Sequence, residues 1–404
     1  MKTSSILIVV LTVVSITGLL MSCGTQRASY ENPRPAPGTG LSGEMRDMTT
    51  AQIVLEMGIG INLGNTLEAT GDWIRGTTVS QYETAWGSPI ITEELIKGYA
   101  DAGFGVVRIP VAWSNLMAED HTIHPDLMNR VEEITRWVLM YDMYAIVNIH
   151  WDGGWWSEFP TEYEKCMTKY KRIWEQITER FRDYGDMLMF ESANEELGWD
   201  SLWNRWSGST NGKDRFYELT NDINQVFVDL VRASGGNNSN RHLLIAGPHT
   251  DIELTCDPLF KMPNDPLNRC AVSMHYYTPA VFAILREDAE WGRVRMNWGT
   301  EADFDELNRL MDKAQDTFVK KGIPVIIGEF GSPMPSMKEK GAVFRYITSV
   351  TEAVYTRGMC PVLWDITINE VPEKGVFFSR VTFKMIDPKM ETRFREISRM
   401  KRNR

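Results

Sequence analysis

Two short apolar runs of the chain carry a glutamate at or near their ends. Glu195 closes the run MLMFESANE, and Glu329 lies near the end of PVIIGEFG. A residue that only ends a strand is more often Gly, Asn or Pro, so two carboxylates here need a joint explanation. Hydrolysis of a glycosidic bond uses such a pair: one carboxyl protonates the leaving oxygen, and the second acts as a nucleophile when the two lie about 5–5.5 Å apart. The alternative is a structural ion pair.

Other polar and aromatic side chains occur in comparable runs. They are Arg108 in VVRIPVAW, His150 in YAIVNIHW, Asn194 directly before Glu195, His275 and Tyr277 in CAVSMHYYT, and Trp364 in PVLWDITI. Asn65 and Glu68 follow the first run, where they either contact sugar hydroxyl groups or only cap the next helix. Glu191 lies four residues before Glu195, so strand alternation places both on one face, and Glu191 is expected to be a buried structural acid.

The runs themselves predict the fold. Eight of them alternate with amphipathic helical stretches: Gly58–Thr66, Val106–Trp113, Tyr144–Trp151, Met187–Glu195, His242–Thr250, Cys270–Thr278, Pro324–Gly331 and Pro361–Ile368. Near-continuous apolar strands that alternate with helices indicate a parallel sheet covered on both faces. Eight units favour an α/β fold, a (β/α)8 TIM barrel with a single catalytic domain. Catalytic groups of such a barrel lie at the carboxyl ends of its strands, and strands four and seven face each other across its mouth.

Seven short segments then carry a resemblance to a known family. GINLGNTLEA, VVRIPVAW, VNIH, SANE, HYY, IIGEFG and VLWD occur in the order in which glycoside hydrolase family 5 has them, and they span roughly residues 54–366. The resemblance implies a retaining, endo-acting hydrolase of β-1,4-glucosidic linkages in cellulose-like or mixed-linkage β-glucan. β-Mannanase and xyloglucanase activities of the same family remain alternatives.

The resemblance also implies roles for the strand-end residues. Glu195 would be the acid/base and Glu329 the nucleophile, while Asn194 would hydrogen-bond the sugar 2-hydroxyl. Arg108 and the Tyr277 hydroxyl would favour the charged form of Glu329, because a nearby cation or donor lowers a carboxyl pKa. Glu195 would hold its proton beside that negative charge.

The remaining implied contacts concern the sugar. His275 would flank the carboxylate pair, His150 would contact the sugar at the cleavage site, and Trp364 would form its stacking floor. Two positions depart from the family pattern: Glu196 stands where the family usually has Pro, and Trp151 where many members have a second His.

Composition limits the class of protein. The 404 residues include 43 Lys and Arg against 54 Asp and Glu, a net charge of −11, which disfavours binding to nucleic acids. The 14 Trp residues are numerous, and five in the loops after strands three and four are either outer sugar platforms or core anchors: Trp155, Trp156, Trp199, Trp203 and Trp206.

The amino terminus resembles that of a bacterial lipoprotein. Lys2 precedes an apolar run over residues 6–21, and Leu20-Met21-Ser22-Cys23 resembles a lipobox, in which the cysteine is acylated. The sequence therefore predicts a signal peptide at residues 1–22, a flexible Pro- and Gly-rich tether at 23–45 and the catalytic domain at 46–404. The protein would be secreted as a bacterial outer-membrane or cell-surface lipoprotein, contacting the membrane only through the Cys23 lipid.

Cysteine and histidine usage suggests no metal site or cofactor. Cys256 and Cys270 flank a turn-rich loop and either form a disulfide or remain buried thiols, as Cys166 and Cys360 would. The six His form no HxH or HExxH pattern, which argues against a metal-dependent barrel enzyme. The rival from another class is a non-catalytic polysaccharide-binding lipoprotein. Both glutamates that catalysis needs are present, however, and a monomer is expected.

Overall fold

The computed structural model describes residues 34–333, 338–339, 341–366 and 375–403. Eight parallel strands pair in sequence order and β8 closes on β1, which confirms the predicted barrel. The strands are β1 (Gly60–Asn62), β2 (Val106–Ile109), β3 (Tyr144–Asn148), β4 (Leu188–Glu191), β5 (Leu243–Asp251), β6 (Cys270–Tyr276), β7 (Val325–Phe330) and β8 (Cys360–Leu363). A hairpin of β9 (Phe378–Ser379) and β10 (Lys384–Met385) follows.

Helices surround the barrel. They are α1 (Thr50–Met57), α2 (Val79–Glu83), α3 (Glu93–Ala102), α4 (Pro125–Met140), α5 (Tyr163–Arg180), α6 (Lys213–Ala233), α7 (Ile252–Thr255), α8 (Ala280–Ala283), α9 (Glu301–Thr317), α10 (Ala342–Thr356) and α11 (Pro388–Ile397). None of those that the structure describes combines the length and apolar character that crossing a bilayer requires.

Local sequence explains where these helices begin and which face they bury. Thr49 caps α1 and Thr300 caps α9, each in a capping box that satisfies free backbone N–H groups of the first turn. Helix α5 buries residues at the three- and four-residue spacing of one helix face, among them Tyr170, Trp174 and Ile177. This face covers the outside of the barrel.

The strand register places polar side chains next to each other. Asn62 of β1 pairs with Arg108 of β2, and His275 of β6 pairs with Glu329 of β7. Residues opposite one another in a parallel pair share a face of the sheet, and all these positions are buried. The barrel interior therefore carries a polar layer at its carboxyl end, above an apolar core.

The described part of the predicted tether lies against the barrel instead of standing free. The backbone N–H groups of Gly38 and Gly40 donate to the Asp142 carboxylate at 2.9 and 3.2 Å, and the Glu44 carbonyl accepts from Asp186. A Cβ at Gly40 would lie 1.9 Å from the Leu139 carbonyl oxygen, so this close approach requires glycine. Residues 34–45 thus pack beside the loops that precede β3 and β4, in the segment where the sequence predicts a flexible tether.

The candidate disulfide is not formed. Cys256 and Cys270 are both free thiols. The Cys256 sulfur faces the Lys313 carbonyl at 3.8 Å, whereas the Cys270 sulfur, at the start of β6, faces the Asp265 carboxylate at 3.5 Å. The two cysteines are close in sequence because they flank a turn-rich loop. Their side chains nevertheless contact different partners.

Candidate active site

The two glutamates meet at the barrel mouth. Glu195 follows β4 and Glu329 is the penultimate residue of β7. One carboxylate oxygen of each lies within 4.8 Å of the other and of a His275 ring nitrogen. This separation fits a retaining pair, because inverting pairs stand about 6.5–9.5 Å apart to admit a water molecule.

Arg108 ties the strand-end residues together. Its guanidinium is fully buried and donates from Nε to Glu191 at 2.7 Å, from Nη1 to Glu329 at 2.8 Å and from Nη2 to Asn194 at 2.8 Å. Burial alone disfavours the cation, but the charges of Glu191 and Glu329 raise the Arg108 pKa above its ordinary value. Arg108 therefore stays charged and fixes the nucleophile candidate in place.

Glu191 is the buried structural acid that strand alternation predicts. It is inaccessible to solvent and accepts from Arg108, from the Asn148 side-chain amide at 3.0 Å and from the Ser273 hydroxyl at 2.7 Å. Three donors on one carboxylate compensate for its desolvation. The role of Glu191 is therefore structural, because its carboxylate orients the Arg108 guanidinium.

Glu329 is held from two sides. Arg108 contacts Oε1, and the Tyr277 hydroxyl donates to Oε2 at 3.0 Å. Burial and the Glu329 charge raise the pKa of Tyr277 well above its ordinary value, so its phenol keeps the donated proton. Burial also raises the pKa of Glu329 itself, although His275, Arg108 and Tyr277 act in the opposite direction.

Glu195 has a different environment. Its side chain is 46% exposed and one oxygen lies 2.7 Å from His275 Nδ1, which is 3.7 Å from Glu329. Burial by the cleft walls acts to raise the pKa of Glu195, but the hydrogen bond and charge of His275 lower it overall. In the free cleft the two pKa directions therefore run opposite to the sequence-based expectation. The reason is that His275 bonds Glu195 more closely than Glu329, while Glu329 is the more deeply buried acid.

Asn194 lies between Arg108 and the unusual Glu196. Its carbonyl oxygen accepts from Arg108, and its Nδ2 donates to Glu196 Oε1 at 3.2 Å. Burial, together with the charge of Glu195, raises the pKa of Glu196 to about 8 despite the Asn194 hydrogen bond. Glu196 is thus a neutral carboxyl at pH 7, directly beside the acid/base candidate.

His150 and Trp364 form one wall of the mouth. Their rings are parallel, with an interplanar angle of 4° and centroids 5.9 Å apart. Burial, together with the charges of Arg108 and His275, holds the pKa of His150 well below its usual range, so its imidazole is neutral. The partly exposed Trp364 presents the flat apolar face that a sugar ring can pack on.

Glu68 accepts hydrogen bonds from the backbone of the loop after β1. Both of its oxygens accept backbone N–H groups, one from Asn65 and one from Thr66. Asn65 has a positive φ of 59°, which the short Asx-type side chain tolerates. Burial raises the pKa of Glu68 to about 7. Glu68 thus stabilises the turn after β1, a role that differs from both sequence-based alternatives, and Asn65 is half-buried.

The five loop tryptophans divide between the two expected roles. Trp156 and Trp199 are core anchors, since both are buried and donate from Nε1 to backbone carbonyls. Trp155 stacks on Trp156 with ring centroids 4.4 Å apart, and Trp203 is partly buried. Trp206 is 81% exposed at the edge of a cleft of about 590 Å³ that also reaches Glu195. It is the platform candidate among the five.

Three site residues escape sequence reasoning. Asn62 accepts from Arg108 Nη1 at 3.0 Å and Asn148 donates to Glu191, whereas His249 lines the cleft beside Glu195. The signal for the two asparagines is a polar residue inside an otherwise apolar strand. His249 lies in a β5 segment whose register shifts, with φ values of 49° at His249 and Thr250, and nothing in the sequence reports that geometry.

Comparison with known proteins identifies the family. A family model described as cellulase (glycosyl hydrolase family 5) matches residues 67–370. Endoglucanase A of Paenibacillus barcinonensis is 35% identical over 357 residues, covering 81% of this chain and 85% of that protein. A xyloglucan-specific endo-beta-1,4-glucanase of Bacteroides ovatus is 33% identical over 342 residues, covering 81% of this chain and 66% of that protein.

A solved structure extends the likeness to three dimensions. The glycoside hydrolase 5 lichenase of a Caldicellulosiruptor species, in complex with cellotetraose, has a TM-score of 0.78 and 29% identity, covering 88% of this chain and 96% of that one. Family model, relatives and fold agree over most of the chain. The chain belongs to glycosyl hydrolase family 5.

Proposed function

We propose that the protein is an endo-acting β-1,4-glucanase that retains the anomeric configuration. The observation that carries this proposal is the Glu195–Glu329 pair, whose oxygens lie within 4.8 Å at the mouth of a family 5 barrel. The relatives described above are named an endoglucanase and a xyloglucan-specific endo-beta-1,4-glucanase, which supports a β-1,4-linked glucan as the substrate class.

The first half of the reaction forms a covalent intermediate. A Glu329 oxygen bonds to the anomeric carbon while the bond from that carbon to the leaving sugar breaks, and Glu195 gives its proton to the leaving oxygen. Arg108 and Tyr277 hold Glu329 for this attack at 2.8 and 3.0 Å. These two hydrogen bonds restrict the rotation of the Glu329 carboxylate before the reaction. The entropy that an unrestrained carboxylate would lose on attacking the sugar is therefore already lost in the folded protein.

The second half reverses the roles of proton donor and acceptor. Glu195, now a carboxylate, takes a proton from water as the water oxygen bonds to the anomeric carbon, and the ester bond to Glu329 breaks.

Substrate binding prepares Glu195 as the acid of the first step. The exposed side of Glu195 faces the cleft, so a bound sugar displaces the solvent that stabilises its charge. Desolvation favours the protonated carboxyl, which supplies the acid for the first step.

Xyloglucan is the second candidate substrate. The Bacteroides ovatus relative is named for it and covers 81% of this chain.

A barrel that only binds polysaccharide would not need the two donors on Glu329 or the close approach of His275 to Glu195. Glycoside hydrolysis therefore accounts for more of the site than binding alone does.

The test is hydrolysis by the chain from residue 24 onward. Reducing-sugar release would be measured on carboxymethylcellulose, mixed-linkage β-glucan, xyloglucan, glucomannan and xylan, with Glu329→Gln as control. Release that is greatest on a β-1,4-glucan and absent in the variant supports the proposal, and the ranking separates glucanase, xyloglucanase and mannanase. A folded protein that binds these polymers but cleaves none would overturn it.

We further propose that the protein is a monomeric surface lipoprotein. Cys23 and the apolar run before it, which support acylation, lie outside the described residues. Residues 34–45 pack near the loops that precede the strands, on the side of the barrel opposite the catalytic mouth. An anchor upstream would therefore leave the mouth facing away from the membrane. Incorporation of radiolabelled palmitate that Cys23→Ala abolishes would support the anchor, and unchanged labelling would overturn it.

A further inference from the structure

The residue after the acid/base is a carboxyl that contacts Asn194. Glu196 Oε1 accepts the only hydrogen bond that Asn194 Nδ2 donates within the described part of the chain, at 3.2 Å. An amide nitrogen carries two hydrogens, so one remains for a ligand. The family's usual Pro has no side-chain acceptor and could not make this contact.

Asn194 is held at its other end by Arg108. The Asn194 carbonyl oxygen accepts from Arg108 Nη2 at 2.8 Å, and the same guanidinium binds Glu329 and Glu191. Fixing the oxygen on one side and one N–H on the other removes the rotation and the flip of the carboxamide. The free N–H then has one direction, set by the same cation that positions the nucleophile.

The backbone around Glu196 is fixed as well. The Gly198 N–H donates to the Glu196 carbonyl at 2.9 Å, and the His249 N–H donates to the Leu197 carbonyl at 2.9 Å. A Cβ at Gly198 would lie 2.4 Å from the His249 ring, so the loop can pack here only with glycine. The Glu196 carboxyl, which accepts from Asn194, therefore belongs to a rigid turn.

We propose that Glu196 is a positioning residue, which aims the free N–H of Asn194 at the 2-hydroxyl of the sugar whose glycosidic bond is cleaved. This inference rests on the proposed function. A hydrogen bond to the 2-hydroxyl strengthens in the transition state, so its loss lowers kcat more than it changes KM.

The second oxygen of Glu196 is consistent with this role. Oε2 is buried and has no hydrogen-bond partner among the described residues. Burial raises the pKa of Glu196 to about 8, so the carboxyl is neutral at pH 7 and adds no charge beside Glu195. Glu196 thus provides an acceptor without a second anion.

The test compares two substrates that differ by one hydroxyl group. Initial rates would be measured on an aryl β-cellobioside and on its analogue that lacks the 2-hydroxyl of the ring bearing the aryl group. Glu196→Leu keeps a similar volume but removes the acceptor, and Glu196→Gln keeps an acceptor oxygen. We expect Glu196→Leu to lower kcat on the parent substrate about tenfold with KM nearly unchanged, and Glu196→Gln to stay within about threefold of the wild type.

On the analogue without the 2-hydroxyl, Glu196→Leu should equal the wild type. The loss should also disappear in an Asn194→Ala background, because the two residues act through one contact. Equal losses on both substrates, or additive losses with Asn194→Ala, would overturn the inference. If Glu196→Leu does not fold, the same comparison with Glu196→Ala decides. A wild-type chain that cleaves neither the cellobioside nor any glucan would instead refute the proposed function.

Discussion

His275 Nδ1 lies 2.7 Å from the Glu195 carboxylate and 3.7 Å from that of Glu329, so a single imidazole faces both members of the catalytic pair. Burial acts to raise the pKa of both carboxyls, whereas His275 acts to lower the pKa of both. His275 therefore influences which carboxylate holds the proton in the free cleft.

Removing this imidazole should change the pH dependence of catalysis. His275 lowers the pKa of Glu195, so His275→Phe should raise it and move the alkaline limb of the kcat/KM profile to higher pH while the maximum falls. The alkaline limb is the relevant one because the first step needs Glu195 protonated.

Tyr277→Phe is the matched control for that profile. It removes the hydrogen bond that lowers the pKa of Glu329, so the acidic limb should shift to higher pH instead. Profiles on an aryl β-cellobioside would show both shifts. Identical displacement of the same limb in the two variants would contradict the separate assignments.

The two carboxylates should respond differently to a good leaving group. Glu195→Ala should lose about 10²–10⁴-fold in kcat on glucan, because protonation of the leaving oxygen is lost. It should still release dinitrophenol in a burst from a dinitrophenyl cellobioside, since that group leaves without a proton. Azide should then accelerate turnover by attacking the intermediate.

Glu329→Ala should lack both the burst and the azide-accelerated turnover of a retained β-product, because no covalent intermediate forms without the nucleophile. Burst amplitude and mass spectrometry of the trapped protein measure the difference. A burst that persists in Glu329→Ala would move the nucleophile to another residue.

Arg108 should support stability as well as activity. Arg108→Met leaves Glu191 and Glu329 buried without their cation, and breaking a buried ion pair from one side costs about 3–5 kcal/mol. We expect urea unfolding to show a loss of that order. Arg393→Met, which removes a partly exposed pair with Glu352, should cost less than about 1 kcal/mol. Equal losses in the two variants would contradict the buried network.

Glu196 should make folding less favourable as pH rises. Burial raises its pKa to about 8 from an ordinary value of 4.5, so between these values the folded chain keeps a proton that the unfolded chain releases. The free energy of unfolding then falls as pH rises through this window, by up to about 1.4 kcal/mol per pH unit for one group. Glu68 and Asp365, with pKa values raised by burial to about 7 and 6, act in the same direction.

Urea unfolding of the wild type and Glu196→Gln between pH 5 and 8 measures this effect. The variant should show the shallower decline, because Glu68 and Asp365 remain. Parallel declines would mean that Glu196 ionises normally in the folded protein.

Trp206 should matter for polymers and not for folding. It is 81% exposed beside the cleft and carries the Arg205 guanidinium 4.9 Å from its ring centroid. Trp206→Ala should raise KM on glucan about two- to tenfold, the value of one aromatic contact, with a change in unfolding free energy within about 0.5 kcal/mol. Trp291, which is 60% exposed but does not line this cleft, provides the control. If Trp291→Ala raises KM equally, Trp206 is not a specific platform.

The barrel was accessible from sequence because its signals are local. Each strand is an apolar run bounded by turn residues, and each helix repeats its buried positions every three or four residues. The strand-end glutamates could be placed at one mouth from topology alone, because the carboxyl ends of all parallel barrel strands lie at the same end of the barrel. Seven ordered segments then identified the family.

Tertiary structure decided what depends on distant neighbours. Glu68 satisfies the turn after β1, Trp199 is buried while Trp206 is exposed, and Gly40 packs where a spacer was expected. The type of each residue does not reveal its role here. Whether the residue is buried, exposed or hydrogen-bonded depends on the segments of the chain that fold against it.

The same holds for the chemistry of the site. The sequence determined which side chains stand at the mouth, because their positions follow from strand register. It could not determine their pKa order, since that depends on burial and on the distances from His275 to Glu195 and Glu329. Nor could it assign Glu196 to Asn194, a contact between residues two apart whose geometry is set by Arg108 on β2 and His249 on β5. Local patterns encode the strands, whereas the electrostatics arise from chain segments that only folding brings together.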